Sequence, residues 1–184
     1  MKNGKEKKFV LDVVNRNSQA ISLLGDNIFY FAELGMQEFE TSGLMIRILE
    51  EAGFQIERNI SGMPTAFMAT YGSGKPVIAL HTEFDATPAS SQVTGVAERR
   101  SITEGAPGHT EGHNVNAAVL IGAAFAVKKA MDEFGMQGTL KIFGAPGEEQ
   151  LVSRPFFVRD GYFNDVDVAI YDHIGGEFET LYGL

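Results

Sequence analysis

Apolar residues recur at helical spacing through residues 9–34, with Val13, Val14, Ala20, Ile21, Leu24, Ile28 and Phe31 near one face, although Gly25 interrupts the pattern. A second helix is marked by the stripe Leu44, Met45, Ile48, Leu49 and Ala52, with Thr41 or Ser42 as its cap and Gly53 as its stop. Phe54-Gln55-Ile56-Glu57 then alternates as a half-buried strand does, and a further strand is expected over 65–71, closed by Gly72-Ser73-Gly74. Val77-Ile78-Ala79-Leu80 is apolar without a break, the pattern of a strand covered on both faces. Residues 86–112, rich in Ser, Thr, Gly and Pro, form a long loop of the kind that usually serves function. The strongest helix runs over 114–134, apolar nearly all round from Ala117 to Val127 and therefore buried, and Gly135 ends it. A strand over 139–143, a helix over 152–159 and a strand over 166–171 follow.

From Val77 onward the order is strand, loop, helix, strand, helix, strand. This implies an α/β fold, a mostly parallel sheet wrapped by helices in three layers. In such sheets ligands bind beyond the carboxyl ends of the strands. That rim is where the chemistry falls. The chain has only four histidines, and each lies near carboxylates. His109, Glu111 and His113 precede the long helix; His81 leads into Glu83 and Asp85; Glu148-Glu149 follow one strand and Asp172-His173 another.

Bulk properties narrow the reading. A length of 184 residues suffices for one domain with a core, or for part of a larger one. The formal net charge of -9 disfavours nucleic acid and anionic membrane as partners, since both reward clustered Lys and Arg. No apolar run approaches the ~18 residues that span a bilayer. The basic start meets Phe9-Val10-Leu11-Asp12, too short and charged for a signal-peptide core. Zero cysteines exclude disulfides and thiolate metal sites and suit a reducing compartment, so a cytoplasmic location is expected. Gly74-Lys75 imitates a phosphate loop, but Ala69 and Pro76 stand where that motif needs Gly and Ser or Thr.

Imidazole and carboxylate ligands without sulfur suit zinc, manganese or cobalt. Two such ions roughly 3.5–4 Å apart can lower the pKa of a shared water to about 7. A carboxylate kept off the metal must then accept the water's proton and pass it to a leaving amine. Adjacent glutamates can divide ligation and proton transfer, as Glu148-Glu149 would, while Asp85 suits a place behind a ligand, fixing its orientation. Each residue also has a plainer role open to it: His113 could cap a helix, Glu148-Glu149 could be a solvated first turn, and His173 could be a surface ring.

Taken together, Glu83-Phe84-Asp85-Ala86-Thr87-Pro88 with Ser91-Gln92, Gly112-His113-Asn114, Pro146-Gly147-Glu148-Glu149 and His173 resemble the aminoacylase/carboxypeptidase family of dinuclear-metal amidohydrolases. Within it the closest branch is that of the aminobenzoyl-glutamate and auxin-conjugate hydrolases. The similarity spans about residues 20–175. It implies a zinc-peptidase-like catalytic domain with two divalent ions, zinc or manganese, and cleavage of an N-acyl amino acid, dipeptide or aryl-amide conjugate. It further implies Glu148 as general base, His113, Glu149 and His173 as metal ligands, and Asp85 as their support. Where the branch has a cysteine this chain has Glu111, a harder ligand that favours oxygen-rich coordination. His81 and His109 have no counterpart in the branch pattern. Family members continue for about as long again, with a lid and dimerisation domain, the closing strands and one more histidine ligand. Residues 1–184 are therefore expected to be the amino-terminal part of an incomplete catalytic domain. Two classes stay open: an amidohydrolase, self-associating or joined by a complementary subunit, and a non-catalytic fragment of a split enzyme. An exposed apolar sheet edge is expected where the closing strands would pair.

Overall fold

The amino-terminal helical pattern folds as two helices, not one, in the computed structural model, which describes residues 4–175. Helix α1 is Lys5–Arg16 and α2 is Ser18–Phe31. The break falls at Asn17, whose side-chain amide donates to the Val13 carbonyl at 2.8 Å and so competes with the helical ladder. Helix α3, Phe39–Glu51, begins before the expected Thr41 or Ser42 cap, and both of those residues are buried within it. Its opening amides are satisfied from outside the helix. The Glu33 carboxylate accepts from the backbone N–H of Glu40 and Thr41, both at 2.9 Å, and from the Thr41 hydroxyl at 2.8 Å.

Five strands follow the expected order: β1 Gln55–Arg58, β2 Phe67–Ser73, β3 Val77–Thr82, β4 Gly138–Gly144 and β5 Val168–Tyr171. They form one sheet in the order β1-β2-β4-β3-β5. Strand β3 pairs parallel with both β4 and β5, as the chain order after Val77 implies, whereas β1 and β2 add an antiparallel wing. Helix α4, His113–Phe134, crosses between β3 and β4, and α5, Ser153–Arg159, between β4 and β5.

Strand alternation assigns the two faces. Phe67, Ala69, Leu140 and Ile142 point toward Ile28, Met45, Leu49, Leu120 and Ala124 of α2, α3 and α4. Ala79 and Phe143 face the other way and meet Phe157 of α5. Helices thus cover both faces, in the three layers expected. Helix α4 is less buried than its composition suggests, because Val115 and Val119, one turn apart, are exposed. All four residues of β5 are exposed as well, and β5 is an outer strand.

Register brings the carboxyl ends of the parallel strands level. Thr82 pairs with Gly144 and His81 with Tyr171, so the segments after β3, β4 and β5 leave the sheet together. The long loop returns along itself through Thr87–Gly108, Ser91–Ala106 and Val93–Arg100 backbone hydrogen bonds, and delivers the start of α4 to the same rim. Gly112 makes that entry possible. Its φ is +87°, and a Cβ there would lie 2.8 Å from the Ile174 side chain.

Candidate metal centre

His113 opens α4 with a side chain only 2% exposed. Its Nδ1 lies 3.0 Å from the Asp85 backbone carbonyl and 3.3 Å from Asp85 Oδ1. A carbonyl oxygen can only accept, so Nδ1 carries a proton, and in the neutral ring Nε2 presents a lone pair. That Nε2 is buried without a hydrogen-bond partner. A buried, unpaired imidazole nitrogen is costly unless something binds it. Burial opposes charging the ring, but the Asp85 hydrogen bond and the fields of Glu83 and Asp85 raise its pKa.

Asp85 itself is 1% exposed and lies behind His113. Its Oδ2 accepts the Glu149 backbone N–H at 3.0 Å, which ties the strand β3 exit to the turn after β4. Burial pushes its pKa upward, yet the His113 and Glu149 hydrogen bonds hold it below the usual range, so it stays a carboxylate. The geometry is that of a group orienting an imidazole from behind.

The Glu148–Gln150 turn follows Gly147, whose φ of +64° is the left-handed backbone that glycine adopts most readily. Glu149 joins Glu111 and His113, their donor atoms all within 4.8 Å of one another. Burial, then the neighbouring Glu111, raises the Glu149 pKa, while His113 works the other way. Glu148 is a member of neither this trio nor the second set below, but it adjoins both His113 and Arg154, with Oε2 3.9 Å from His113 Nε2 and Oε1 3.8 Å from an Arg154 guanidinium nitrogen. A second set within the same limit comprises Glu83, His113 and His173. The His113 and His173 rings meet edge to face at 5.5 Å. All six site residues singled out in the sequence, Asp85, Glu111, His113, Glu148, Glu149 and His173, therefore converge on one rim, and oxygen and nitrogen donors of this kind fit a first-row divalent ion.

His81 and His109 belong to neither set. His81 stacks on Tyr171 at 5.0 Å and receives a hydrogen bond from Arg154 Nε at 3.2 Å. His109 Nε2 donates to the Ile28 carbonyl at 3.2 Å. Burial, joined by Arg154 for the first ring and His113 for the second, lowers each pKa to about 4. Both rings are thus neutral in the folded chain, while the unfolded chain protonates them near 6.5. Unfolding takes up protons between these values, so stability falls as pH drops from 6.5 toward 4, by up to about 1.4 kcal/mol per pH unit for each ring. His113, with its pKa raised, adds its own pH dependence above that window. His109→Gln should flatten the decline of Tm with falling pH, measured by calorimetry. An unchanged slope would show that His109 is not held neutral.

Two supporting groups carry no signal in the sequence. Glu38, fully buried, accepts from the Thr65 hydroxyl at 2.6 Å and from the Gly147 N–H at 2.9 Å, fixing the turn that carries Glu148 and Glu149. Burial raises its pKa, against those two hydrogen bonds. Arg154, in the first turn of α5, forms an ion pair with buried Glu83. Neither has a motif; each is recognisable only when folding brings its partner from a distant segment.

No family model matches the sequence. The chain is 39% identical over 176 residues to a p-aminobenzoyl-glutamate hydrolase subunit of Escherichia coli (strain K12), covering 94% of this chain and 37% of that protein. It is 29% identical over 167 residues to N-acetyl-L-cysteine deacetylase of Bacillus subtilis (strain 168), covering 87% of this chain and 38% of that one. It superimposes with a TM-score of 0.67 and 25% identity on the Bacillus subtilis YXEP protein, a dinuclear metal binding peptidase from the M20 family, over 90% of this chain and 44% of that structure. The chain spans less than half the length of each of these proteins.

Proposed function

We propose, from kinship with the amino-terminal part of the dinuclear-metal amidohydrolases and metallopeptidases, that this chain carries most of a hydrolytic metal centre. The reaction is cleavage of the amide bond of an N-acyl amino acid, dipeptide or aryl-amide conjugate by water. One observation carries the reading: the buried His113 Nε2 has no protein partner and faces Glu111 and Glu149 across a few ångströms. Glu111, His113, Glu149 and His173 would hold divalent metal, zinc or manganese by donor type. Bound metal supplies Lewis acidity toward the scissile carbonyl and toward water. Glu148 takes the proton from the attacking water and returns it to the leaving amine nitrogen. Asp85 keeps His113 in the tautomer that presents Nε2, and Glu38 keeps the glutamate turn in place.

A second reading is favoured by the outer strand of the sheet. Val168 and Ile170 of β5 and the nearby Ile174 are each about half exposed, and among the described residues the outer side of this parallel strand pairs with no other strand. Such an edge suits further strands, contributed by another polypeptide segment. On this reading residues 1–184 are the amino-terminal part of the catalytic domain and act with a complementary carboxyl-terminal part or subunit. Among the described residues no helix is long and apolar enough to cross a membrane.

One preparation separates these readings. The purified 184-residue chain is analysed for bound first-row metal and assayed against N-acyl amino acids and dipeptides. Metal with turnover is the expected result of the first reading, and metal without turnover that of the second. Failure to take up zinc or manganese at saturating concentration removes both.

A further inference from the structure

The two ligand sets at the rim overlap in a single residue. Both include His113, whose Nδ1 is committed to the Asp85 carbonyl, so only Nε2 remains for a metal. One imidazole nitrogen donates one lone pair to one ion. Whichever set takes His113 leaves the other short, and the second set would then depend on Glu83 and His173.

Glu83 is already engaged. It is fully buried, and its Oε1 accepts from the Asn116 amide at 2.8 Å and from the Tyr171 hydroxyl at 3.0 Å. Its Oε2 is paired with the Arg154 guanidinium. Arg154 is in turn held on three further sides, by the hydrogen bond to His81 Nδ1, by the Tyr171 ring, 5.0 Å from its central carbon, and by Glu148 Oε1, 3.8 Å from a guanidinium nitrogen. A guanidinium does not deprotonate in a protein, so this cation cannot leave by titration; it leaves only if the side chain swings away. Its fixed charge also repels any dication brought to Glu83. Among the described residues no Lys or Arg pairs with Glu111 or Glu149, whose donor atoms lie within 4.8 Å of each other and of His113.

We propose that Arg154 is an internal cation that keeps Glu83 from binding metal, so that the two sets load unequally. The first ion binds at Glu111, His113 and Glu149, and the subsite of Glu83 and His173 stays closed while Arg154 is in place. Opening it requires Arg154 to be displaced, which makes this residue a control on the step from one bound ion to two. The inference rests on the metal-centre reading and concerns how that centre fills. Arg154 is a positioning residue here: it acts through Glu83 and touches no ion.

The test is metal binding, independent of turnover. The 184-residue chain is titrated with Co2+ or Zn2+ and followed by cobalt absorption and elemental analysis. The parent should bind one ion tightly, and Arg154→Met should gain a second, at least tenfold tighter than any second ion of the parent. Arg154→Lys, which keeps the charge, should behave as the parent. Glu83→Gln in the parent background should leave the first ion's affinity within about twofold, because Glu83 is not yet a ligand. In the Arg154→Met background the same change should abolish the gain. Two equally tight ions in the parent, a parental count in Arg154→Met, or a first ion weakened tenfold by Glu83→Gln would each overturn the proposal while sparing the metal-centre reading. No ion at all in the parent would end both. Should Arg154→Met fail to fold, the Glu83→Gln measurement still decides.

Discussion

Replacing His113 with alanine should strip the protein of tightly bound metal while leaving the chain folded. The expectation follows from the number of contacts that ring makes. It is the residue shared by both ligand sets, and its Nε2 is a buried ring nitrogen with no protein partner. Changes merely behind a metal ligand typically cost 10–100-fold in affinity; removal of this ligand should cost at least about 100-fold. The same substitution leaves the Asp85 carbonyl without its donor and opens a small hole at the start of α4, a loss of about 1–3 kcal/mol. Circular dichroism should therefore report an intact fold with a modestly lower Tm. Metal content after dialysis against a weak chelator is the deciding measurement. A His113→Ala protein that is folded and retains parental metal would show that the centre lies elsewhere. Asp85→Asn offers a graded companion, expected to weaken binding less, since the carbonyl that fixes the tautomer remains.

What can be read from the chain, and what cannot, divides along a physical line. Glu111, His113, Glu149 and His173 are recognisable because each sits beside a strand end or a helix start, and in a parallel sheet those places share a rim. Periodicity locates every strand and α4 within a few residues. It fails at Asn17, where one side-chain amide captures a backbone carbonyl and splits a helix whose apolar spacing continues past that point. It fails again at α3, because the capping carboxylate comes from Glu33 rather than from a residue beside the helix start. The antiparallel wing of β1 and β2 is equally hidden, since strand direction depends on connections that alternation does not encode. Composition marks Val119, within the apolar run from Ala117 to Val127, as buried, yet exposure depends on what packs against it. Arg154 and Glu38 show the same limit at the site. A buried charge announces itself only through its partner, and theirs lie 71 and 109 residues away, at Glu83 and Gly147.

Substituting Glu148 with glutamine should remove turnover and leave metal binding intact, measured in whichever assembly hydrolyses the amide. Glutamine keeps the shape of the side chain and its approach to Arg154 but has no carboxylate to accept a proton. A positioned general base contributes about 10²–10⁴ in rate, so kcat should fall by that factor. Metal should stay because Glu148 belongs to neither ligand set. Its neighbour should behave in the opposite way. Glu149→Gln replaces a charged ligand with a weaker neutral one beside Glu111, so metal is lost first and activity with it. The contrast between adjacent residues is what gives the experiment its force, since a general loss of structure in the Gly147 turn would move both variants together. Retained turnover in Glu148→Gln would take the base assignment away. Lost metal in that variant would instead make Glu148 a ligand and leave the proton transfer to another group on the rim.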